Sequence, residues 1–166
     1  PTSKSVRFKW REHVTKTVSE NGEALEKFCN ALKDGNSEVV EQSLNNYLKR
    51  TISIRDTFVK KQMKENFYHG ILLGILGFQQ NWSVSSNKES GDGYSDILIE
   101  TEDQETGIII EIKYAETGNL EAVSEEALKQ IEDRRYEEQL LEEGVEHILK
   151  YGIAFYKKKC KVMAVK

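Results

Sequence analysis

Ile108-Ile109-Ile110-Glu111-Ile112-Lys113 restricts the fold more than any other segment of the chain. Successive β-branched apolar residues fill both faces of a strand, so this strand must be central and buried on both sides. Residues 95–100, Ser-Asp-Ile-Leu-Ile-Glu, form a second β-type run, and the polar stretch 101–106 between the two reads as a hairpin. Side chains alternate faces along a strand, so Glu111 and Lys113 point one way and Ile112 the other. A carboxylate and an ammonium on a buried strand are costly without a purpose. Pairing the two strands brings Asp96 alongside Glu111, giving two oxygen donors for a hard cation with a lysine beside them.

Periodicity supplies the elements around this hairpin. Residues 23–33 form an amphipathic helix ended by Asp34-Gly35-Asn36, and Ser37 is placed as the N-cap of a second helix over 38–49. The two make a helical hairpin whose expected role is packing against the rest of the chain or an upstream domain. Residues 4–20 carry a weaker helical pattern. A long helix over 56–76 starts polar and basic and becomes apolar on nearly all sides, so it should run into the core. Strands are expected over 82–86, 95–100 and 107–113, one helix over 120–142 stopped by Gly144, and two final strands over 147–156 and 160–165. The fold class is therefore α/β, a small mixed sheet flanked by helices, with a helical segment over 1–55 and the α/β domain over 56–166.

Of the 166 residues, 38% are hydrophobic and 31% charged, a balance that suits a packed core and not a disordered chain. The longest apolar run, 71–78, is too short to span a bilayer, and residues 1–20 are too polar for a secretory leader. A cytoplasmic protein without membrane contact is the expectation, and the start at Pro1 suggests a piece of a longer chain. Cys29 and Cys160 stand far apart with no CxxC pattern, which reads as free thiols and not a disulfide or zinc site. No GK[ST] accompanies Gly91-Asp92-Gly93, so the chain carries no nucleotide-hydrolysing loop of its own. A net charge of −4 argues against coating nucleic acid by electrostatics alone. Basic residues nonetheless cluster at Lys60, Lys61 and Lys64 and at Lys157, Lys158, Lys159 and Lys161. They read as solvated charge, with phosphate contacts beside an active face as the other reading.

An Asp followed by a strand ending Glu-x-Lys resembles the PD-(D/E)xK nuclease superfamily, with Asp96, Glu111 and Lys113 at its three signature positions. The surroundings extend the likeness: residues 67–76 before the hairpin, 87–93 leading into Asp96, 126–131 after it, and Tyr151-Gly152-Ile153-Ala154-Phe155. Over residues 60–166 these look like the nuclease-like domain at the C-terminus of many bacterial AAA-ATPase-like proteins. The resemblance implies a restriction-endonuclease-like core, αβββαβ, here preceded by the N-terminal helical hairpin. It also implies DNA as substrate, Mg²⁺ (or Mn²⁺) as cofactor, and an upstream ATPase domain as partner. Asp96, Glu111 and the Ile112 carbonyl would hold the metal, and Lys113 would place the attacking water and stabilise charge on the phosphate. Relatives often add an acidic residue from the preceding helix, here Glu65, and a Gln from the following one, here Gln130. His69, one turn after Glu65, is assigned to local packing or hydrogen bonding. Tyr94 stands where many relatives carry Arg, and Arg134 where some carry Tyr, with Tyr136 offset. The rival class is a non-catalytic module that keeps the fold to bind nucleic acid or a protein. The intact Asp, Glu and Lys favour the enzyme, whereas the acidic balance and Tyr94 favour the module. Oligomeric state is left open.

Overall fold

The computed structural model describes residues 22–51, 61–88, 94–133 and 136–166. Three helices come first, α1 (Gly22–Asp34), α2 (Ser37–Thr51) and α3 (Lys61–Leu76), followed by β1 (Ser83–Lys88), β2 (Tyr94–Glu100) and β3 (Thr106–Tyr114). Helices α4 (Leu120–Asp133) and α5 (Tyr136–Glu142) then lead to β4 (His147–Tyr156) and β5 (Lys159–Val165). The strands lie in the order β1-β2-β3-β4-β5. Only β3 and β4 run parallel; the other neighbours are antiparallel. This mixed sheet with helices fits a restriction-endonuclease-like fold. The expected helix start at residue 56, the weak helical pattern of 4–20, the 89–93 loop and Arg134 lie outside the described residues.

β3 is the central strand that its isoleucines required. Ile108, Ile110, Ile112 and Tyr114 face the larger core, with Ile97 and Ile99 of β2, Tyr151, Ile153 and Phe155 of β4, and the apolar sides of α1, α2 and α3. Ile109 faces the other way, into a smaller cluster with Leu98, Ile131, Leu140 and Val145 under α4 and α5. Both layers exclude water, which is the main favourable term for a sheet of this kind.

Two expectations need correction. The N-cap of α2 is Asn36, not Ser37: Asn36 Oδ1 accepts from Val39 N at 3.2 Å and the Asn36 carbonyl accepts from Val40 N. The chain reaches that position because Gly35, at φ 75°, closes α1 with a Schellman motif, Asn36 N donating to Ala31 O at 2.9 Å. The region 120–142 holds two helices, not one. The buried stripe Ser124, Ala127, Ile131 would continue at Arg134, Arg135 and Glu138, all charged, whereas the next apolar pair, Tyr136 and Leu140, is out of phase with it. The predicted stop at Gly144 is present, with φ 93° and a second Schellman motif closed by Val145 N on Leu140 O.

Helix α2 also covers one edge of the sheet. Asn45 Oδ1 accepts from Cys160 N at 2.7 Å and Glu41 Oε1 from Val162 N at 2.9 Å, so side chains occupy donors that β5 would otherwise present to another strand. Cys29 and Cys160 are free and buried. Burial pushes the Cys29 thiol up to about 11 and raises that of Cys160 as well. Among the described residues no helix is long and apolar enough to cross a membrane.

Candidate active site

The turn between β2 and β3 fixes which side chains meet. Asp103 Oδ1 accepts from the Thr101 hydroxyl at 2.7 Å and from Glu105 N and Thr106 N at 2.9 and 3.1 Å. These bonds, the Thr101 hydroxyl first, hold the Asp103 carboxyl well below the usual range. Thr101 N donates to Thr106 O at 3.0 Å, which sets that pair as a hydrogen-bonded one. Such pairs alternate along an antiparallel ladder, so Asp96 and Glu111, paired in register, form a non-hydrogen-bonded pair. Their Cα atoms are therefore about 4.5 Å apart, the closer of the two spacings, and their side chains leave the same face.

That face is the one under α4. Asp96 is 0% and Glu111 1% exposed. Glu111 Oε2 is, among the described residues, the buried side-chain oxygen with no hydrogen-bond partner. A buried carboxylate oxygen in that condition costs stability, and two carboxylates side by side repel as well. The pair closes the β2–β3 register: Ile112, Lys113 and Tyr114 continue along β4 beyond the last pairing with β2. The same alternation aims the Ile112 carbonyl and the Tyr114 amide towards the β2 side, into this fork. Glu65 closes the fork from α3, its Oε1 accepting from Tyr114 N at 3.1 Å.

Lys113 shares the face of Glu111 and is partly covered, its side chain 19% exposed. Its Nζ lies 3.8 Å from Glu126 Oε1, on a carboxylate that is itself 66% exposed. Gln130, half-buried, is one turn further along α4 and shares the Glu126 side of that helix. Glu126 is the neighbour that sequence reasoning missed; its position four residues before Gln130 is the signal that carried it. Gly152 stands opposite Glu111 in the β3–β4 register. A Cβ there would run into the Ser124 carbonyl and Leu128 N, so the glycine sets how closely α4 covers the acidic pair.

Asp96 and Glu111 thus meet on one face, with Lys113 further along it and Gln130 on the covering helix, while Glu65 reaches the Tyr114 amide from α3. His69 has local hydrogen bonds. It is buried beneath α3, its Nε2 3.1 Å from Ser86 Oγ and its ring bonded to the backbone of Asp96. Burial lowers its pKa, and the backbone bond opposes that shift. The side chain of Tyr94 lies outside the described residues.

As to metal, no group of three or more His, Cys, Asp and Glu side chains gathers among the described residues. Two carboxylates and a carbonyl are an all-oxygen set, which suits Mg²⁺ or Mn²⁺ retaining several waters and does not suit a nitrogen- and sulfur-ligated zinc. The unpartnered Glu111 oxygen is a donor that such a cation could take. The sequence pattern of the PD-(D/E)XK nuclease superfamily matches residues 63–165, which include every residue of the fork. No curated protein matches the chain.

Proposed function

The chain belongs to the PD-(D/E)XK nuclease superfamily, and on that premise we propose that it hydrolyses DNA phosphodiester bonds with Mg²⁺ at Asp96, Glu111 and Lys113. The observation that carries the reading is the buried Asp96–Glu111 pair with its unpartnered oxygen. Asp96, Glu111 and the Ile112 carbonyl would hold the cation. A cation held there would supply activation of the attacking water and offset charge on the scissile phosphate. Lys113 orients the nucleophilic water and faces the phosphate oxygens, where a fixed positive charge counts most as charge develops. Its approach to Glu126 at 3.8 Å keeps the ammonium on the active side of β3. Glu65 holds the end of β3 by its bond to Tyr114 N, which fixes the Lys113 backbone beside the acids. Gln130 covers the same side from α4. Placement of the chain at the C-terminus of a larger ATPase-containing protein rests on sequence resemblance.

The second reading, a non-catalytic module, is favoured by the net charge of −4. A cleavage assay on linear, nicked, flapped and junction DNA with Mg²⁺ or Mn²⁺ separates the two. Metal-dependent cleavage lost in Asp96→Ala supports the nuclease, and absence of both metal binding and cleavage on every form gives the module.

A further inference from the structure

A basic and aromatic constellation lies at the carboxyl ends of β3 and β4, on the α3 side of the sheet and across it from the Lys113 side chain. Tyr114 follows Lys113 directly, and Lys64 Nζ lies 4.5 Å from the centre of its ring. The Tyr114 and Tyr156 rings are 6.0 Å apart, and Lys157 Nζ lies 5.1 Å from the Tyr156 ring. These three legs keep the two ammonium groups within about 16 Å of one another.

The turn that presents Lys157 is unfavourable for lysine. Tyr156 pairs with Lys159, so the β4–β5 hairpin turns through Lys157 and Lys158 alone. Lys157 takes φ 51°, the left-handed region that two-residue hairpins normally fill with Gly or Asn. The surrounding structure enforces it: the Tyr68 hydroxyl donates to Lys157 O at 2.6 Å, and the Tyr68 ring stacks on Phe155 at 4.4 Å. A residue kept in a disfavoured backbone conformation by buried neighbours points to a use for that residue. Lys33 is paired with Glu102 and Asp103, Lys150 with Glu137 and Lys161 with Glu41. Among the described residues Lys64 and Lys157 lie in no ion pair and rest on aromatic faces, which orient an ammonium without neutralising it.

Resting on the nuclease reading above, we infer that Lys64 and Lys157 hold backbone phosphates of the DNA where it passes the ends of β3 and β4 on the α3 side, and so set its path towards Lys113. Lysine supplies a point charge to phosphate and reads no base, so the contacts position the strand without selecting sequence.

The test is fluorescence anisotropy of the full chain with a labelled DNA duplex, and with an RNA duplex of the same sequence, from 50 to 200 mM salt in EDTA. Lys64→Ala and Lys157→Asn should each reduce the slope of log affinity against log salt on DNA by about 0.9. Asn tolerates the left-handed backbone, so the turn should survive, and an unchanged melting temperature checks it. Lys33→Ala and Lys150→Ala should leave the slope unchanged. If wild type binds and cleaves DNA while neither variant alters the slope, this inference falls and the nuclease reading stands. If wild type neither binds nor cleaves, the nuclease reading itself falls and takes the inference with it. A loss confined to the RNA duplex overturns the assignment to DNA.

Discussion

Glu111 is kept where it is thermodynamically unwelcome. Its carboxylate is buried beside Asp96 with one oxygen unpartnered. In metal-free buffer Glu111→Gln should therefore be more stable than wild type, by about 1–3 kcal/mol in urea unfolding, while losing metal binding. In the proposed reaction Lys113 would contribute charge and placement and no ligand oxygen, so its loss should appear in the rate and not in metal affinity. Lys113→Ala should keep Mn²⁺ binding by calorimetry and lose about 10²–10³-fold in cleavage. Asp96→Ala and Glu111→Ala should lose both. At this scale the acidic pair was legible because strand alternation is strict: once 101–106 turns, Asp96 and Glu111 must meet. The Lys113–Glu126 approach was not, since it depends on where α4 settles on the sheet. Nor was the backbone of Lys157, which a buried tyrosine hydroxyl far away in sequence imposes.

Among the elements, the strand carrying Glu111 and Lys113 is held at both ends by polar groups, and its neighbour β4 lies close against α4 at Gly152. Gly152→Ala would press its methyl into the Ser124 carbonyl and lift α4 from β4. We expect a loss of about 1–3 kcal/mol on thermal or urea unfolding, with reduced cleavage because the cover over the acids shifts. The β2–β3 turn depends on the Asp103 carboxylate. Its folded pKa is depressed, so the stabilisation is fully present above the unfolded value of about 3.9 and is lost as pH falls below it towards the folded pKa. Asp103→Asn should flatten the acid side of a stability-versus-pH curve below about pH 4. The strands, the Gly144 stop and the first two helices followed from local signals that tertiary packing left in force. The choice of Asn36 over Ser37 as cap did not, because it turns on where Gly35 ends α1. The break between α4 and α5 was present in the sequence as a phase change after Ile131.

At the scale of the whole molecule, α1 to α3 cover one face of the sheet and α4 and α5 the other, and the acidic pair opens on the second. The first face is tied to the strands by more than apolar contact. Tyr151, in the middle of β4, donates its hydroxyl to the Leu32 carbonyl at 2.6 Å, and Asn45 and Glu41 occupy the outer amides of β5. The superfamily pattern begins at residue 63, yet Phe28, Leu32, Val40, Leu44 and Leu48 belong to the same buried cluster as Ile110 and Ile153. A fragment of residues 61–166 should therefore come out as an aggregating species with a raw strand edge, visible by light scattering, whereas residues 22–166 should melt in one cooperative transition by circular dichroism. The Tyr151 bond gives that expectation a particular meaning. The carbonyls that end α1 find their donor in the strand beside Glu111, so the first helix is an abutment for the sheet, and excising it should loosen the acids from behind.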